Sequence, residues 1–265
     1  MTSTRQPGTE EAPVAELKAV LFDMDDTLLS INLSAFIAVL ARDLSSMLAQ
    51  IGRKNQLAMF ALYGSAMLEL NNPDRTDQDL CNREFFEDFI LRRCGIPLND
   101  PVILDAFRYY EHEVLPKRND AIINARPRKG AREAMDAVVS RGLRTALFTN
   151  PSFSETCIRC RMGWGDMLDM PFELITTMEN SYSCKPAASY YLAGLEALGL
   201  QPDEVLMVGN DPKRDFPTPD CGIQTAYVGS GTHARATWSG SMADFAGSFD
   251  EIVERFHARQ GARAS

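Results

Sequence analysis

Apolar residues follow two different spacings along this chain. Short, mainly apolar runs predict buried strands at 20–22, 145–148, 204–208 and 225–228, and a weaker strand at 172–176. Apolar residues at helical spacing predict helices between them, at 130–141, 155–161, 187–198 and 249–257. Strands that alternate with helices in this way predict a parallel sheet with right-handed crossover connections. The predicted fold class is therefore α/β.

The long segment after the first strand has helical spacing only. Four apolar stripes begin near Leu33, Leu57, Leu80 and Val102, with short connections between them. This pattern predicts a small helical bundle inserted early in the chain. The expected organisation is a loose tail at 1–15, a core at 16–30 and 121–258, a helical insertion at 31–120 and a second loose tail at 259–265.

Polar side chains occur where three of the predicted strands end. They are Asp23 and Asp25, Thr149 and Asn150, and Asn210 and Asp211. Ligands of open parallel sheets bind outside the carboxyl ends of the strands. If the first strand stays regular through Asp25, Asp23 and Asp25 share one face, because side chains alternate along a strand.

Three carboxylates fall within four residues at Asp23, Asp25 and Asp26. Like charges this close raise one another's pKa unless a positive charge lies between them. A divalent cation such as Mg²⁺ would satisfy them, since it prefers oxygen ligands and often bridges to phosphate. The simpler alternative is an Asp-rich turn in which Asp26 or Thr27 caps a helix.

Composition limits the possible partners. The chain has 265 residues, 45% of them hydrophobic and 24% charged, as in a soluble globular protein. A net charge of -9 argues against binding to nucleic acid or to an anionic membrane surface. The polar first residues do not resemble a signal peptide, and we expect no apolar run long enough to span a bilayer.

Six cysteines without an export signal predict reduced thiols in the cytoplasm. Cys157 and Cys160 form a lone CxxC, which lacks the second pair of ligands that a structural zinc site needs. Cys184 precedes Lys185, whose charge could lower the pKa of the thiol.

Four short motifs occur in a characteristic order. They are Asp-x-Asp-x-Thr at 23–27, Thr149 after an apolar strand, Lys185 before a helix, and Gly-Asn-Asp-x-x-x-Asp at 209–215. In this respect the chain resembles the haloacid dehalogenase superfamily, over 18–30 and 126–257. The resemblance implies a Rossmann-like parallel-sheet core with an inserted α-helical cap domain. It also implies Mg²⁺-dependent hydrolysis of a small phosphorylated metabolite through an aspartyl-phosphate.

The resemblance further implies a role for each motif residue. Asp23 would be the nucleophile, and Asp25 the general acid and base. The Asp23 carboxylate and the Asp25 carbonyl would hold Mg²⁺. Thr149, with Asn150 and Lys185, would bind the phosphoryl group, and Lys185 would also offset the charge of the nucleophile.

The match departs from the family's pattern in two places. Asp26 stands where glycine is common, and Asn210 takes the usual acidic metal position in one alignment. In another alignment Asp211 and Asp215 have the required separation, so all three are candidate metal ligands.

Alternative functions remain open at this stage. Asp25 argues against halide removal, because the dehalogenases lack a second aspartate at this position. A phosphotransferase or mutase, and a non-catalytic domain that binds a phosphorylated ligand, are the other hypotheses. The substrate and the oligomeric state do not follow from the sequence.

Overall fold

A computed structural model describes residues 15–75 and 79–264 of the chain. Its main feature is a six-stranded sheet of order β5-β4-β1-β6-β7-β8, in which all neighbouring strands run parallel. The strands are β1 Ala19–Phe22, β4 Arg144–Leu147, β5 Phe172–Ile175, β6 Val205–Gly209, β7 Gln224–Val228 and β8 Trp238–Gly240. A separate antiparallel ribbon pairs β2 Leu29–Ser30 with β3 Arg126–Pro127. The α/β parallel-sheet prediction is confirmed.

The two central strands are the most apolar. Every residue of β1 and β6 is buried, as expected for strands that helices cover on both faces. The covering helices are α5 Ala131–Val139, α6 Glu155–Trp164, α7 Ala188–Leu198, α8 Met242–Phe245 and α9 Phe249–Ala264. β1 pairs with β4 on one side and β6 on the other, so Phe22 lies opposite both Leu147 and Val208. The carboxyl ends of these three strands therefore meet at one edge of the sheet.

The chain leaves this core after β2 and returns at β3. Between them lie α1 Leu33–Gly52, α2 Gln56–Leu70, α3 Asn82–Cys94 and α4 Pro101–Tyr109. A π-helical turn, Tyr110–Val114, and a 3-10 turn, Leu115–Arg118, complete the segment. The part of it that the structure describes contains no strand, and it is called the cap below.

One cap helix corrects an expectation about membranes. Helix α1 has 20 residues and a mean hydropathy of 1.3, so by length and composition alone it could cross a bilayer. Its apolar character has another explanation, because Phe36, Leu40, Leu44 and Leu48 are buried inside the fold.

The C-terminal helix corrects a second expectation. A loose segment was predicted from residue 259, but α9 continues through Ala264. Gln260 is buried, and its side chain donates a hydrogen bond of 2.5 Å to the carbonyl of Asp203. This contact gives the last turns a partner in the core. Residues 1–14 of the predicted N-terminal tail, and Ser265, lie outside the described residues.

Candidate active site

A buried lysine joins two aspartates where the strands end. The Lys185 Nζ donates to Asp23 Oδ1 at 2.8 Å and to Asp215 Oδ1 at 2.7 Å. All three side chains are buried. Asp23 and Asp215 lie 162 and 30 positions from Lys185 in the sequence, yet the three side chains form one charged cluster.

Local backbone geometry fixes this cluster. The Asp23 amide donates to the Val208 carbonyl at 2.9 Å, so strand pairing continues up to the first carboxylate. Gly209 ends the neighbouring strand, and a Cβ there would lie only 2.4 Å from the Asp215 Cβ. Glycine is thus required if the Asp215 side chain is to pass this point.

The polar side chains of the 209–215 loop do not all face the site. The Thr27 hydroxyl lies 3.1 Å from both Asp23 Oδ2 and Asn210 Oδ1, which brings Asn210 to the nucleophile's side of the site. The Asp211 carboxylate instead accepts from the Lys213 amide at 3.0 Å, within its own loop. Of the three candidate metal ligands in this loop, the structure therefore brings Asn210 and Asp215 toward Asp23.

Asp25 is held by an arginine that the sequence analysis did not identify. Arg161 Nη1, from helix α6, donates to Asp25 Oδ2 at 2.6 Å. Asp25 Oδ1 is buried and has no hydrogen-bond partner in the described part of the chain. A signal existed in the sequence, because Arg161 lies three and four residues after Ile158 and Cys157, on the helix face that is buried.

Thr149 and Asn150 follow β4 at the same edge. The Thr149 carbonyl accepts from the Thr176 hydroxyl at 2.7 Å and from the Tyr190 hydroxyl at 2.8 Å, which anchors its backbone. The Asn150 amide donates to Asn71 Oδ1 of the cap at 2.7 Å.

The oxygen of the Asn150 amide is also engaged. It accepts from the Lys185 backbone amide at 3.3 Å. Asn150 therefore joins the cap to the lysine loop, and its role as a substrate ligand stays a prediction.

The site carries more negative than positive charge. Within residues 15–75 and 79–264, the cations paired with Asp23, Asp25 and Asp215 are Lys185 and Arg161. Burial and the neighbouring Asp215 charge raise the pKa of Asp23 to about 7, although Lys185 opposes this. Burial lowers the pKa of Lys185, but the charges of Asp215 and Asp23 outweigh that effect and raise it well above the usual value.

The donor set fits magnesium. In the described residues no three His, Cys, Asp or Glu side chains are close enough to hold a metal ion by themselves. Of the predicted ligands, the Asp23 carboxylate, the Asp25 carbonyl and the Asn210 amide would hold one here, and only the first of them is charged. The two Asp215 oxygens are already engaged, by Lys185 Nζ and by the Asp211 amide. Mg²⁺ is commonly bound through one or two carboxylates, with waters and phosphate oxygens completing its shell. The excess negative charge of the cluster also favours a cation.

The fold and the site together define an α/β enzyme of the hydrolase class that places paired aspartates and a lysine beneath a helical cap. The sequence profile of the haloacid dehalogenase-like hydrolases matches residues 17–218, and the chain belongs to this family. The resemblance drawn from the four motifs is thus confirmed.

Solved structures agree on the fold. A haloacid dehalogenase-type phosphatase from Thermococcus onnurineus superposes with a TM-score of 0.53 at 18% identity, covering 88% of this chain and 98% of that one. A protein provisionally described as a beta-phosphoglucomutase from Thermotoga maritima gives 0.52 at 19% identity, covering 89% and 100%. An L-2-haloacid dehalogenase gives 0.53 at 14% identity, covering 89% and 100%. No curated protein matches the chain in sequence. Such low identities establish the fold and leave the reaction to be argued from the site.

Proposed function

We propose that this protein hydrolyses a small phosphomonoester, with Mg²⁺ as cofactor, through an aspartyl-phosphate on Asp23. The observation that carries the proposal is the separate placement of two aspartates only two residues apart. Asp23 is bound to Lys185, whereas Asp25 is bound to Arg161. Each carboxylate thus has its own cation, and Asp25 keeps one oxygen, Oδ1, that has no hydrogen-bond partner in the described chain and can carry a proton.

In the first step, a carboxylate oxygen of Asp23 attacks phosphorus while the bond to the leaving oxygen breaks. Asp25 gives its proton to that oxygen, so the leaving group departs as an alcohol. Lys185 offsets the charge on the nucleophile, and the Thr149 hydroxyl donates to a phosphoryl oxygen. Bound Mg²⁺ supplies further charge neutralisation, which is the main requirement of phosphoryl transfer.

In the second step, water attacks the phosphorus of the aspartyl-phosphate. Asp25, now ionised, accepts the proton of this water, and the bond between phosphorus and Asp23 breaks. Inorganic phosphate leaves, Asp23 returns as a carboxylate, and Asp25 is again protonated. The cap lies above this edge of the sheet and would exclude bulk water during both steps.

The test uses purified protein and p-nitrophenyl phosphate with Mg²⁺. We expect nitrophenol and phosphate in equal amounts, loss of turnover with EDTA, and no turnover in Asp23→Asn. Asp105→Asn is the matched control, since Asp105 lies exposed on α4 and its ion-pair partner among the described residues is Arg108, on the same helix.

Other outcomes separate the alternatives. A phosphotransferase or mutase would release less phosphate than nitrophenol when a sugar or sugar phosphate is present as acceptor. A protein that binds phosphate esters but turns over none of a broad panel would be a binding domain, and the proposal would be wrong.

We also propose a reducing, cytoplasmic setting for this activity. All six cysteines are free, and four of them are buried. Recovery of the protein with these thiols reduced, from cells lysed under a thiol-blocking reagent, would support this setting.

A further inference from the structure

Arg161 is a fully buried arginine that makes a single hydrogen bond within the described part of the chain. Its relative exposure is 0%, and its one hydrogen-bond partner in the described chain is Asp25 Oδ2. The Nε and Nη2 atoms have no hydrogen-bond partner there. A buried ion pair contributes to stability only when further hydrogen bonds satisfy the remaining polar atoms. Stability alone therefore accounts poorly for this pair.

Two aromatic rings hold the guanidinium in place. Its Cζ lies 5.0 Å from the centroid of the Phe36 ring and 4.6 Å from that of the Phe153 ring. These distances are those of cation–π contacts. Phe36 belongs to cap helix α1, whereas Phe153 belongs to the loop after β4 in the core. The direction of the guanidinium thus depends on both domains.

The contact distinguishes the two oxygens of Asp25. Oδ2 faces a cation at 2.6 Å, and a proton on that oxygen would meet a donor. Oδ1 is the oxygen without a partner, so it is the one that can carry a proton to another group. Without Arg161, the carboxyl group would be free to rotate and to exchange the two oxygens.

We propose that Arg161 is a positioning residue that presents Asp25 Oδ1 to the leaving oxygen of the substrate, and that Phe36 makes this dependent on the cap. The inference rests on the proposed phosphatase function. The proton moves from Asp25 Oδ1 to the leaving oxygen as the phosphorus–oxygen bond breaks and the bond between phosphorus and Asp23 forms. Arg161 touches neither substrate nor phosphorus and acts only through Asp25.

The nature of the leaving group gives a readout that a structural role would not move. Nitrophenolate is a stable anion and leaves readily without a proton. Phenolate is a poorer leaving group, so its departure depends more strongly on protonation by a general acid. The two aryl phosphates differ only by the nitro group, and kcat/KM for each reports only the steps up to release of the phenol. Loss of a well-placed general acid should therefore reduce kcat/KM more for phenyl phosphate than for p-nitrophenyl phosphate.

The experiment compares Arg161→Met with the unchanged protein on both substrates. General acid catalysis contributes about 10²–10⁴-fold, so we expect a loss on phenyl phosphate at least about tenfold larger than on p-nitrophenyl phosphate. Arg161→Lys should recover part of the difference. Adding Arg161→Met to Asp25→Asn should cause little further loss on phenyl phosphate, because both changes remove the same step.

Arg75→Met is the matched control. Arg75 is also buried, lies 4.5 Å from the centroid of the Phe85 ring, and donates to Asn82 at 2.8 Å. Whatever its size, the decrease in kcat/KM that Arg75→Met causes should be the same on phenyl phosphate and on p-nitrophenyl phosphate. If Arg161→Met does not fold, Phe36→Leu leaves the ion pair intact and should show a smaller difference in the same direction.

Equal losses on both substrates in Arg161→Met and in Phe36→Leu would overturn the inference and leave Arg161 a structural residue. The inference would also be overturned if the losses of kcat/KM in Asp25→Asn and Arg161→Met multiplied in the double variant. A failure of the proposed function looks different, because the unchanged protein would then turn over neither aryl phosphate, or Asp23→Asn would remain active.

Discussion

Gly209 offers a sharp test of how the fold supports the site. In Gly209→Ala, the new Cβ would lie 2.4 Å from Asp215 Cβ and 2.5 Å from its Cγ and Oδ2. Nonbonded carbon atoms prefer about 3.5–4.0 Å. The Asp215 side chain must therefore move by roughly 1 Å. The same carboxylate binds Lys185 Nζ and the Asp211 amide, so both contacts would be disturbed.

Two magnitudes follow from this displacement. Overpacking of a tight interior costs about 1–3 kcal/mol in the free energy of unfolding. For a chain of this size, each kcal/mol lowers Tm by about 2–4 °C. A displacement of about 1 Å near a catalytic group can cost about 10²-fold in rate. We expect kcat/KM to fall by this order while the protein remains folded at the assay temperature.

Urea unfolding and p-nitrophenyl phosphate kinetics measure the two effects separately. Gly64→Ala is the control, since a Cβ at this position in helix α2 meets no atom within 4 Å. We expect the control to keep its activity and to gain up to about 1 kcal/mol, because alanine favours a helix more than glycine does. If Gly209→Ala matched this control in both stability and kcat/KM, the argument that Gly209 makes room for Asp215 would be refuted.

Three further changes test other parts of the structure. Lys185→Met should abolish turnover and cost about 3–5 kcal/mol in urea unfolding, because it leaves buried carboxylates without their cation; unchanged stability would mean that Lys185 does not compensate them. Cys184 should resist iodoacetamide at pH 8 in the native protein but react in urea, because burial raises the pKa of its thiol to about 11; rapid labelling of the native protein would contradict this. Deletion of residues 259–265 removes the bond from Gln260 to the Asp203 carbonyl and should cost about 0.5–1.5 kcal/mol by thermal unfolding; an unchanged Tm would show that the last turns of α9 contribute nothing.

The parallel sheet could be predicted because its signals are local and strong. Strands such as β6 are continuous apolar runs, and in a parallel sheet their carboxyl ends must meet at one edge. The meeting of Asp23, Lys185 and Asp215 follows from that topology and from the order of the motifs. The boundaries of the five predicted strands moved by at most one residue, as is usual where pairing decides them. The three-residue edge strand β8 was not predicted, because so short a segment carries no apolar run of its own.

Features that depend on tertiary contacts could not be predicted. The charge of Lys185 was expected to lower the pKa of Cys184, but burial is the larger effect and raises it. The hydrogen bond between Asn150 and Asn71 joins the core to the cap across 79 residues of sequence, and no local sequence pattern predicts it. Helix α9 extends past the last strongly apolar residues because Gln260 finds a partner on another element.

The turn after Asp25 shows why one departure from the family's pattern is tolerated. Asp26 has a φ of +57°, in the left-handed region where glycine is favoured and aspartate is one of the better alternatives. The Asp26 carboxylate also accepts from the Ile31 amide at 3.4 Å, within the same turn. This third carboxylate is therefore used in the local turn and is not part of the charged cluster around Lys185.

Asn210 and Arg161 both limit the negative charge of the buried site. Asp215 already raises the pKa of Asp23 across the buried site, and a further carboxylate at position 210 would add to that repulsion. The neutral amide at 210 provides an oxygen that accepts from the Thr27 hydroxyl without adding charge. Arg161 supplies a buried positive charge to Asp25. With the proton that Asp25 carries before the proposed first step, the net charge of Asp23, Asp25, Asp215, Lys185 and Arg161 is zero, and the proposed pair of a divalent cation and a dianionic phosphate leaves it unchanged. A site of this charge can bind substrate and metal as a pair without a change in its own electrostatic balance.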